Sequence, residues 1–208
     1  NYSLAIGRTN TASAIHAIAL GRQTTASADN AMSIGYATSA TASYSYASGL
    51  STTAQSYLST VIGRYNVVTG TNAWVLTEPL LVAGNGSAGI PNNAMTLYKN
   101  GNLNILGVYS SSDLTLKERI EPLKGSLSVI KNIKPIYYEF KNKEIFPEER
   151  QIGFIAQEIQ QYYPELILKN ESGYLAIDYS KMTVVLLQAM NEQQEIIEKQ
   201  QAENNELK

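Results

Sequence analysis

Five glycines, Gly7, Gly21, Gly35, Gly49 and Gly63, recur every 14 residues without slippage. Each closes a tripeptide of apolar or small residues: Ala5-Ile6-Gly7, Ala19-Leu20-Gly21, Ser33-Ile34-Gly35, Ala47-Ser48-Gly49 and Val61-Ile62-Gly63. A second register, Ala12, Ala26, Ala40, Ala54 and Val68, keeps step with the first. Two registers locked together over five periods mark a repeat architecture. A 14-residue unit is too short for a helical hairpin. It suits one coil of a β-solenoid, with two short strands and two turns. At the spacing of paired strands, five such coils would extend roughly 20–25 Å. Glycine is expected to supply the positive-φ turn conformation, and alanine to let the walls approach closely. So thin a solenoid buries little apolar surface alone, and threefold lateral association is the expected way to hide the rest.

This pattern, over residues 1–66, resembles the head repeats of trimeric autotransporter adhesins. The resemblance implies a trimeric, left-handed parallel β-roll. Its function is then either a rigid spacer or a receptor-binding surface. Tyr36, Tyr44, Tyr46 and Tyr57 are the candidates to line a carbohydrate site there, although tyrosine is also a good strand residue. The chain starts within a repeat, so a fragment lacking its natural N-terminus is expected.

Charge divides the sequence in two. Residues 1–100 carry only Asp29 and Glu78 as acids and Arg8, Arg22, Arg64 and Lys99 as bases, out of 18 acidic and 16 basic residues in all. A net charge of −2 gives no electrostatic reason to expect nucleic-acid binding. There is no cysteine, which excludes disulfides and cysteine-based zinc sites. The single histidine, His16, lies in the repeat and reads as a turn or surface residue, so no Ser-His-Asp triad or His-rich metal site can be built elsewhere. No cofactor and no metal are expected. No apolar run approaches the roughly 18 residues of a membrane span, so no membrane insertion is expected.

After Val68 the repeat decays into a bridge, residues 67–111. Residues 73–83 and 94–106 read as strands, with turns at Gly84-Asn85-Gly86 and Asn100-Gly101. The alternation from Leu97 to Ile105 fits a half-buried hairpin, and Trp74 is expected to pack in this region.

At the seam between the two compositions stands Ser112-Asp113-Leu114-Thr115-Leu116-Lys117. Serine becomes a nucleophile only when a base takes its proton. With no histidine at hand, a lysine could serve. Five residues apart, the two side chains diverge on a helix and on a straight strand. They can meet across a turn or through another chain. Taken alone, the spacing also fits a simple polar turn. Ser110 and Ser111 are chemical rivals for the nucleophile.

Three blocks place this seam in context: Ser112-Asp113-Leu114-Thr115-Leu116-Lys117-Glu118-Arg119-Ile120; Gly153-Phe154-Ile155-Ala156-Gln157-Glu158 followed by Tyr163-Pro164-Glu165-Leu166; and Ile177-Asp178-Tyr179-Ser180-Lys181. Residues 112–208 resemble the C-terminal intramolecular chaperone domain of endosialidase-type phage tail spikes, tail fibres and neck appendages. The resemblance implies a domain that drives trimerisation and then releases itself. Ser112 would be the nucleophile, Lys117 its general base, and the peptide bond Ser111–Ser112 the one cut in a single turnover. Asp113 fits the motif, to orient Lys117 or to stabilise the turn. It further implies a virion component assembled in the host cytoplasm, whose chaperone fragment is released on maturation.

The expected fold is thus a mainly β part with a 14-residue-repeat solenoid, followed by an α+β chaperone domain ending in a long helix. In that second half, Ile133 to Phe140 alternates like a strand. Ile152 to Ala156 reads as a buried segment entering a helix over 157–162 that stops at Pro164. Gly173 to Ile177 reads as a strand, with Asp178 or Ser180 capping a helix over 181–207. Val185, Leu186, Ala189, Met190, Ile196, Ile197 and Leu207 recur near a seven-residue period, with Gln193 and Gln200 on the stripe. Polar layers of this kind set register in oligomeric coiled coils. The expected partner is two more copies of the chain, with a possible host glycan or receptor through the N-terminal part. The competing reading is a structural or glycan-binding trimeric adhesin with a permanent, non-cleaving clamp. A conventional enzyme acting on a foreign substrate finds no support: no carboxylate pair, metal cluster or phosphate loop stands out.

Overall fold

The computed structural model describes residues 2–207; the outermost residue at each end, included in the expected segments 1–66 and 112–208, lies outside the described residues. The chain forms two compact units. One runs to Ser110 and includes Phe140–Glu148, and the other comprises Ser111–Glu139 and the chain from Glu149 onward.

In the first unit, each repeat contributes one long and one short strand. The long strands are β1 (Leu4–Arg8), β3 (Ile18–Arg22), β5 (Met32–Tyr36), β7 (Tyr46–Leu50) and β9 (Thr60–Arg64). The short ones are β2 (Thr11–Ala12), β4 (Thr25–Ala26), β6 (Ser39–Ala40) and β8 (Thr53–Ala54). Long strands pair in parallel with long, and short with short, each residue facing its equivalent one repeat away, as in Gly21 opposite Gly35 and Ala26 opposite Ala40. The expected solenoid is the fold. The short-strand register ends at Ala54; Val68, expected to continue it, is exposed and outside any strand.

The structure changes the role given to glycine. The repeating glycines lie within the long strands, not in the turns, at φ between +97° and +126°. A Cβ on Gly35 would run into the carbonyl oxygen of Gly49, and the same holds along the column. The repeat needs glycine because successive backbones touch there. The turns instead place ordinary residues in the left-handed region in two periodic series: Thr9, Gln23, Ala37, Ser51 and Tyr65, then His16, Asn30, Tyr44 and Leu58. Such residues enter that region at some cost. Backbone bonds to the neighbouring coil offset it here, as from Asn30 N–H to the Ile15 carbonyl at 2.9 Å.

The core is narrow. Ala17, Ala19, Ala26, Ala31, Ala40, Ala47, Ala54 and Val61 fill it, with Val82 at the far end. Buried hydroxyls share it: Thr24, Thr38, Thr52, Ser33, Ser45 and Ser59. Two asparagines bond to the backbone of the coils. The Asn10 amide oxygen accepts from Thr24 N–H at 3.0 Å, and that of Asn66 from Thr53 N–H at 2.8 Å.

β10 (Pro79–Asn85) adds to this sheet in parallel, with Gly84 opposite Gly63. The glycine column therefore continues after a 21-residue interval instead of 14, which hides it from a fixed-period reading. Gly84 and Asn85 belong to the strand and not to the expected turn, and of the strand expected over 73–83 the first part, 73–78, consists of bends and a turn. β11 (Asn93–Tyr98) and β12 (Leu103–Ile105) follow in antiparallel order, as the alternation there predicted. Trp74 is half exposed, and its ring lies against the Lys99 ammonium at 5.2 Å. Lys99 is buried; its Nζ donates to Ser56 Oγ at 2.8 Å and lies 3.6 Å from Glu78. This group ties the bridge to the last coils.

The second unit holds α1 (Ser126–Ile130), α2 (Ala156–Gln160) and α3 (Tyr179–Glu206). Its two hairpins are β13 (Ile136–Tyr138) with β14 (Gln151–Gly153), and β15 (Ile167–Lys169) with β16 (Leu175–Ile177). Ile159, Tyr163, Leu166, Met182 and Val185 form its core. Three expectations are corrected. Ile152 is 71% exposed, not buried, because β14 pairs on one side only and turns that residue outward. α2 ends at Gln160, and Pro164 opens a 3₁₀ turn over Pro164–Leu166 instead of terminating the helix. α3 starts two residues before the expected point, capped by Asp178, whose Oδ1 accepts from Lys181 N–H at 3.3 Å.

Candidate functional site

The segment Ser112–Lys117, which lies in the second unit, is built from short-range bonds. Asp113 is extended, and its Oδ1 accepts from Thr115 N–H at 2.8 Å and from Thr115 Oγ1 at 2.7 Å. That capping bond starts a single 3₁₀ turn, Leu114–Leu116, closed by Lys117 N–H on the Leu114 carbonyl at 3.1 Å. Sequence dictates this locally: Asp and Thr two apart form the side-chain turn that competes with regular helix. Past the turn the backbone is extended again at Lys117. The Lys117 side chain then doubles back, and its Nζ donates to Ser112 Oγ at 2.8 Å.

Of the two ways in which the residues could meet, the turn is the one found within a single chain. Ser112, Asp113 and Lys117 are all exposed. The Asp113 carboxylate is held below the usual range by its bonds to the Thr115 hydroxyl and amide. It is committed to the turn, and the bond to Ser112 is the one described for Lys117. Among the described residues neither Ser110 nor Ser111 receives a lysine contact. The arrangement sets the Ser112 hydroxyl beside the Lys117 side-chain nitrogen, with the Ser111–Ser112 peptide bond immediately upstream.

A second polar cluster escaped the sequence reading. The Glu192 carboxylate on α3 accepts from the N–H groups of Gly125, Ser126 and Leu127 at 2.7, 3.2 and 2.8 Å. Its carboxyl is held low, first by Gln188 and then by these backbone donors. An acid on a mostly polar helix gives no signal of this kind in sequence. The third element is the face of α3. Met182, Val185 and Ala189 are buried in the unit, whereas Leu186, Met190, Ile196, Ile197 and Leu207 are exposed. The expected single stripe is therefore two, one used by its own unit and one left uncovered.

The tyrosines of the solenoid do not converge. Tyr44 and Tyr57 meet edge to face at 5.8 Å, while Tyr36 lies under the Arg22 guanidinium at 5.2 Å. Tyr46 is a half-buried residue of β7. His16 occupies a left-handed turn position, with Nδ1 3.3 Å from Asn30 Oδ1. Among the described residues no cluster of His, Cys, Asp or Glu could hold a metal ion, and no helix is long and apolar enough to cross a membrane.

Comparison with known proteins bears on both units. Residues 112–168 match the model of a peptidase family described as the chaperone of endosialidase, so the match begins at Ser112 itself. Residues 1–24 match two copies of the YadA head domain repeat. The long tail fiber protein of Enterobacteria phage Ox2 is 32% identical over 110 residues, which cover 49% of this chain and 43% of that protein. The chain thus spans less than half of that relative. The chain is thus similar to adhesin head repeats near its start and to the endosialidase chaperone family from Ser112 to Leu168.

Proposed function

We propose that this chain is the C-terminal region of a phage tail-fibre or appendage subunit, a homotrimer whose segment from Ser112 onward templates assembly and then cuts itself off. The observation that carries the reading is the 2.8 Å bond from Lys117 Nζ to Ser112 Oγ, at the first residue of the peptidase-family match. In the reaction, Ser112 Oγ attacks the Ser111 carbonyl carbon while Lys117, as the free amine, takes the hydroxyl proton. The peptide C–N bond breaks, the Ser112 nitrogen leaves protonated as an amine, and an ester joins Ser111 to Ser112 Oγ. Water then hydrolyses that ester, giving a carboxylate on Ser111 and restoring the hydroxyl. Asp113 acts as a positioning residue by holding the turn.

Two surfaces support assembly of copies. The outer side of the long strands carries Leu4, Ile6 and Ile62 in exposed positions. On α3 the spacing of Leu186, Met190, Gln193, Ile197 and Gln200 alternates four and three, the seam of a coiled coil. Templating helps because parallel β pairing between distant segments is slow and exposes edges. A finished β-trimer keeps its shape kinetically once the template has gone. The mature product would belong to the virion, and the fragment would be discarded.

The test is intact mass under denaturing conditions, followed over time after expression, for the natural chain beside Ser112→Ala and Lys117→Ala. Fragments ending at Ser111 and beginning at Ser112, absent from both variants, are the expected result. An uncut chain throughout, in a folded trimer, would replace this reading with a permanent clamp, and a stable monomer would remove both.

A further inference from the structure

A groove of about 290 Å³ opens in the first unit beside the sheet extension. Its floor comes from β11 and β12, where Thr96 faces Asn104 across the strands and Tyr98 follows two residues on. Val67 and Leu106 supply exposed apolar walls, and Thr69 and Asn92 complete the rim. We propose that this groove is a binding site for a neutral saccharide.

The chemistry of the lining selects that class. No carboxylate, ammonium, guanidinium or imidazole lines it, so an anionic sugar, a phosphate or a cation would find no counter-charge. What lines it instead is a set of amides and hydroxyls with a tyrosine ring and two aliphatic side chains. A pyranose presents the complement: hydroxyls at its edge and C–H groups on its faces. Part of the polar lining is fixed in place. Asn93 Oδ1 accepts from Val67 N–H at 2.9 Å, and its Nδ2 donates to Thr96 Oγ1 at 3.2 Å. Asn92 Nδ2 donates to Asn85 Oδ1 at 2.7 Å, which leaves its side-chain oxygen with acceptor capacity. By contrast, the Asn104 amide, the Tyr98 hydroxyl and the Thr69 hydroxyl have no hydrogen bond among those described in the chain. A rigid inner set beside an unengaged outer set suits a ligand that supplies the missing partners. The solenoid tyrosines, which are dispersed and partly engaged with one another or with Arg22, offer no such convergence.

The proposal stands apart from cleavage, because a chain that never cuts itself carries the same groove. The experiment is saturation-transfer difference NMR on the full chain. The probes are the methyl glycosides of glucose, galactose and N-acetylglucosamine, with N-acetylneuraminic acid as the anionic counter-probe. At least one neutral glycoside is expected to receive saturation and N-acetylneuraminic acid none. Asn104→Ala should weaken that binding about fivefold, the worth of one hydrogen bond, and Thr69→Ala should act in the same direction. Tyr44→Ala, on the solenoid turn, should leave it unchanged. Both groove substitutions sit at exposed positions, and unaltered Trp74 fluorescence confirms the fold. Silence from all three neutral glycosides would overturn the proposal, as would preferential binding of the anionic sugar, or binding indifferent to both groove variants but lost in Tyr44→Ala.

Discussion

Three equivalent threonines in the solenoid should respond to the same substitution with opposite signs. Thr24, Thr38 and Thr52 are fully buried, one repeat apart. The Thr38 hydroxyl has a partner, Ser33 Oγ at 2.7 Å, also fully buried. The positions equivalent to Ser33 in the flanking repeats are Ala19 and Ala47, and there the hydroxyls of Thr24 and Thr52 have no partner. Burying a hydroxyl without a bond costs about 1–3 kcal/mol on the scale of protein mutations. Thr24→Val and Thr52→Val replace that hydroxyl by a methyl of nearly the same volume, so each should stabilise the unit by about 1 kcal/mol per chain. Thr38→Val removes a made bond and orphans Ser33, costing about 1–2 kcal/mol. Ser33→Ala should cost a similar amount by orphaning Thr38. The double variant Ser33→Ala/Thr38→Val, with both partners gone, should return to within about 0.5 kcal/mol of the natural chain. The readout is the denaturant midpoint from the fluorescence of Trp74, the only tryptophan, which lies in the first unit. Constant slopes would make the midpoint shifts readable as stability changes. If Thr24→Val destabilises as Thr38→Val does, the hydroxyl is bound to a buried water and the reasoning is refuted. Additivity in the Ser33/Thr38 cycle would refute it equally.

Further expectations concern backbone contact, the buried ion pair and pH. Gly35→Ala should abolish the folded first unit, since its Cβ meets the Gly49 carbonyl and its φ of +125° disfavours any side chain; loss of the β-type circular dichroism would show it. Lys99→Met leaves Glu78 beside Ser56 and Thr71 without its cation and should lower the Trp74 midpoint by the equivalent of about 3 kcal/mol. Glu192 has a carboxyl held low in the folded chain, so its contribution is complete above the unfolded value of about 4.3 and fades as pH falls through the folded one. Hydrogen exchange at Gly125, Ser126 and Leu127 should accelerate over that acid range, and Glu192→Gln should remove most of the pH dependence. Asp178, lowered to about 2 chiefly by Ser180 and Lys181, should keep α3 capped above pH of about 4 and release it as pH falls toward 2. Helical ellipticity should follow that fall, and a flat profile would exclude the cap as its source.

The parts of this fold that could be read from sequence are those with a fixed period or a local cause. The glycine register announced the solenoid, and the β11–β12 alternation announced its hairpin. The cap of α3 was visible as Asp178 or Ser180, since both stand at the start of a helical stretch, and it is Asp178. What could not be read depends on contacts between segments with no constant separation. Gly84 joins the glycine column only because the chain makes a longer excursion before returning. Nothing in the hairpin alternation marks a partner for Lys99, yet it is buried against Ser56, which lies 43 residues earlier. Asn93, Thr96 and Asn104 look like ordinary turn and strand residues until the sheet extension places them around one groove. The glycine role was misread for a related reason: sequence reports where glycine is required, but a turn and a backbone contact require it equally. At the seam, spacing alone left a turn and an inter-chain contact open. The Asp113–Thr115 capping bonds, written in adjacent residues, form a turn across which the two side chains meet within one chain.

Exposure of the Ser112–Lys117 pair bears on the order of events in the proposed maturation. A lysine serves as a base only as the free amine, and removal from water is what favours that form. Both side chains are solvent-exposed in the single chain. A pair that is formed but wet fits a reaction that waits for assembly, because packing of copies around the seam would exclude water and leave the 2.8 Å contact in place. Cleavage should then depend on chain concentration even though its chemistry is intramolecular. Breaking the α3 seam, for instance by Ile197→Asp, should suppress cutting while leaving Ser112 and Lys117 untouched. Equal cutting rates across dilution, and in Ile197→Asp at neutral pH, would show that the turn alone suffices and that assembly plays no part in timing.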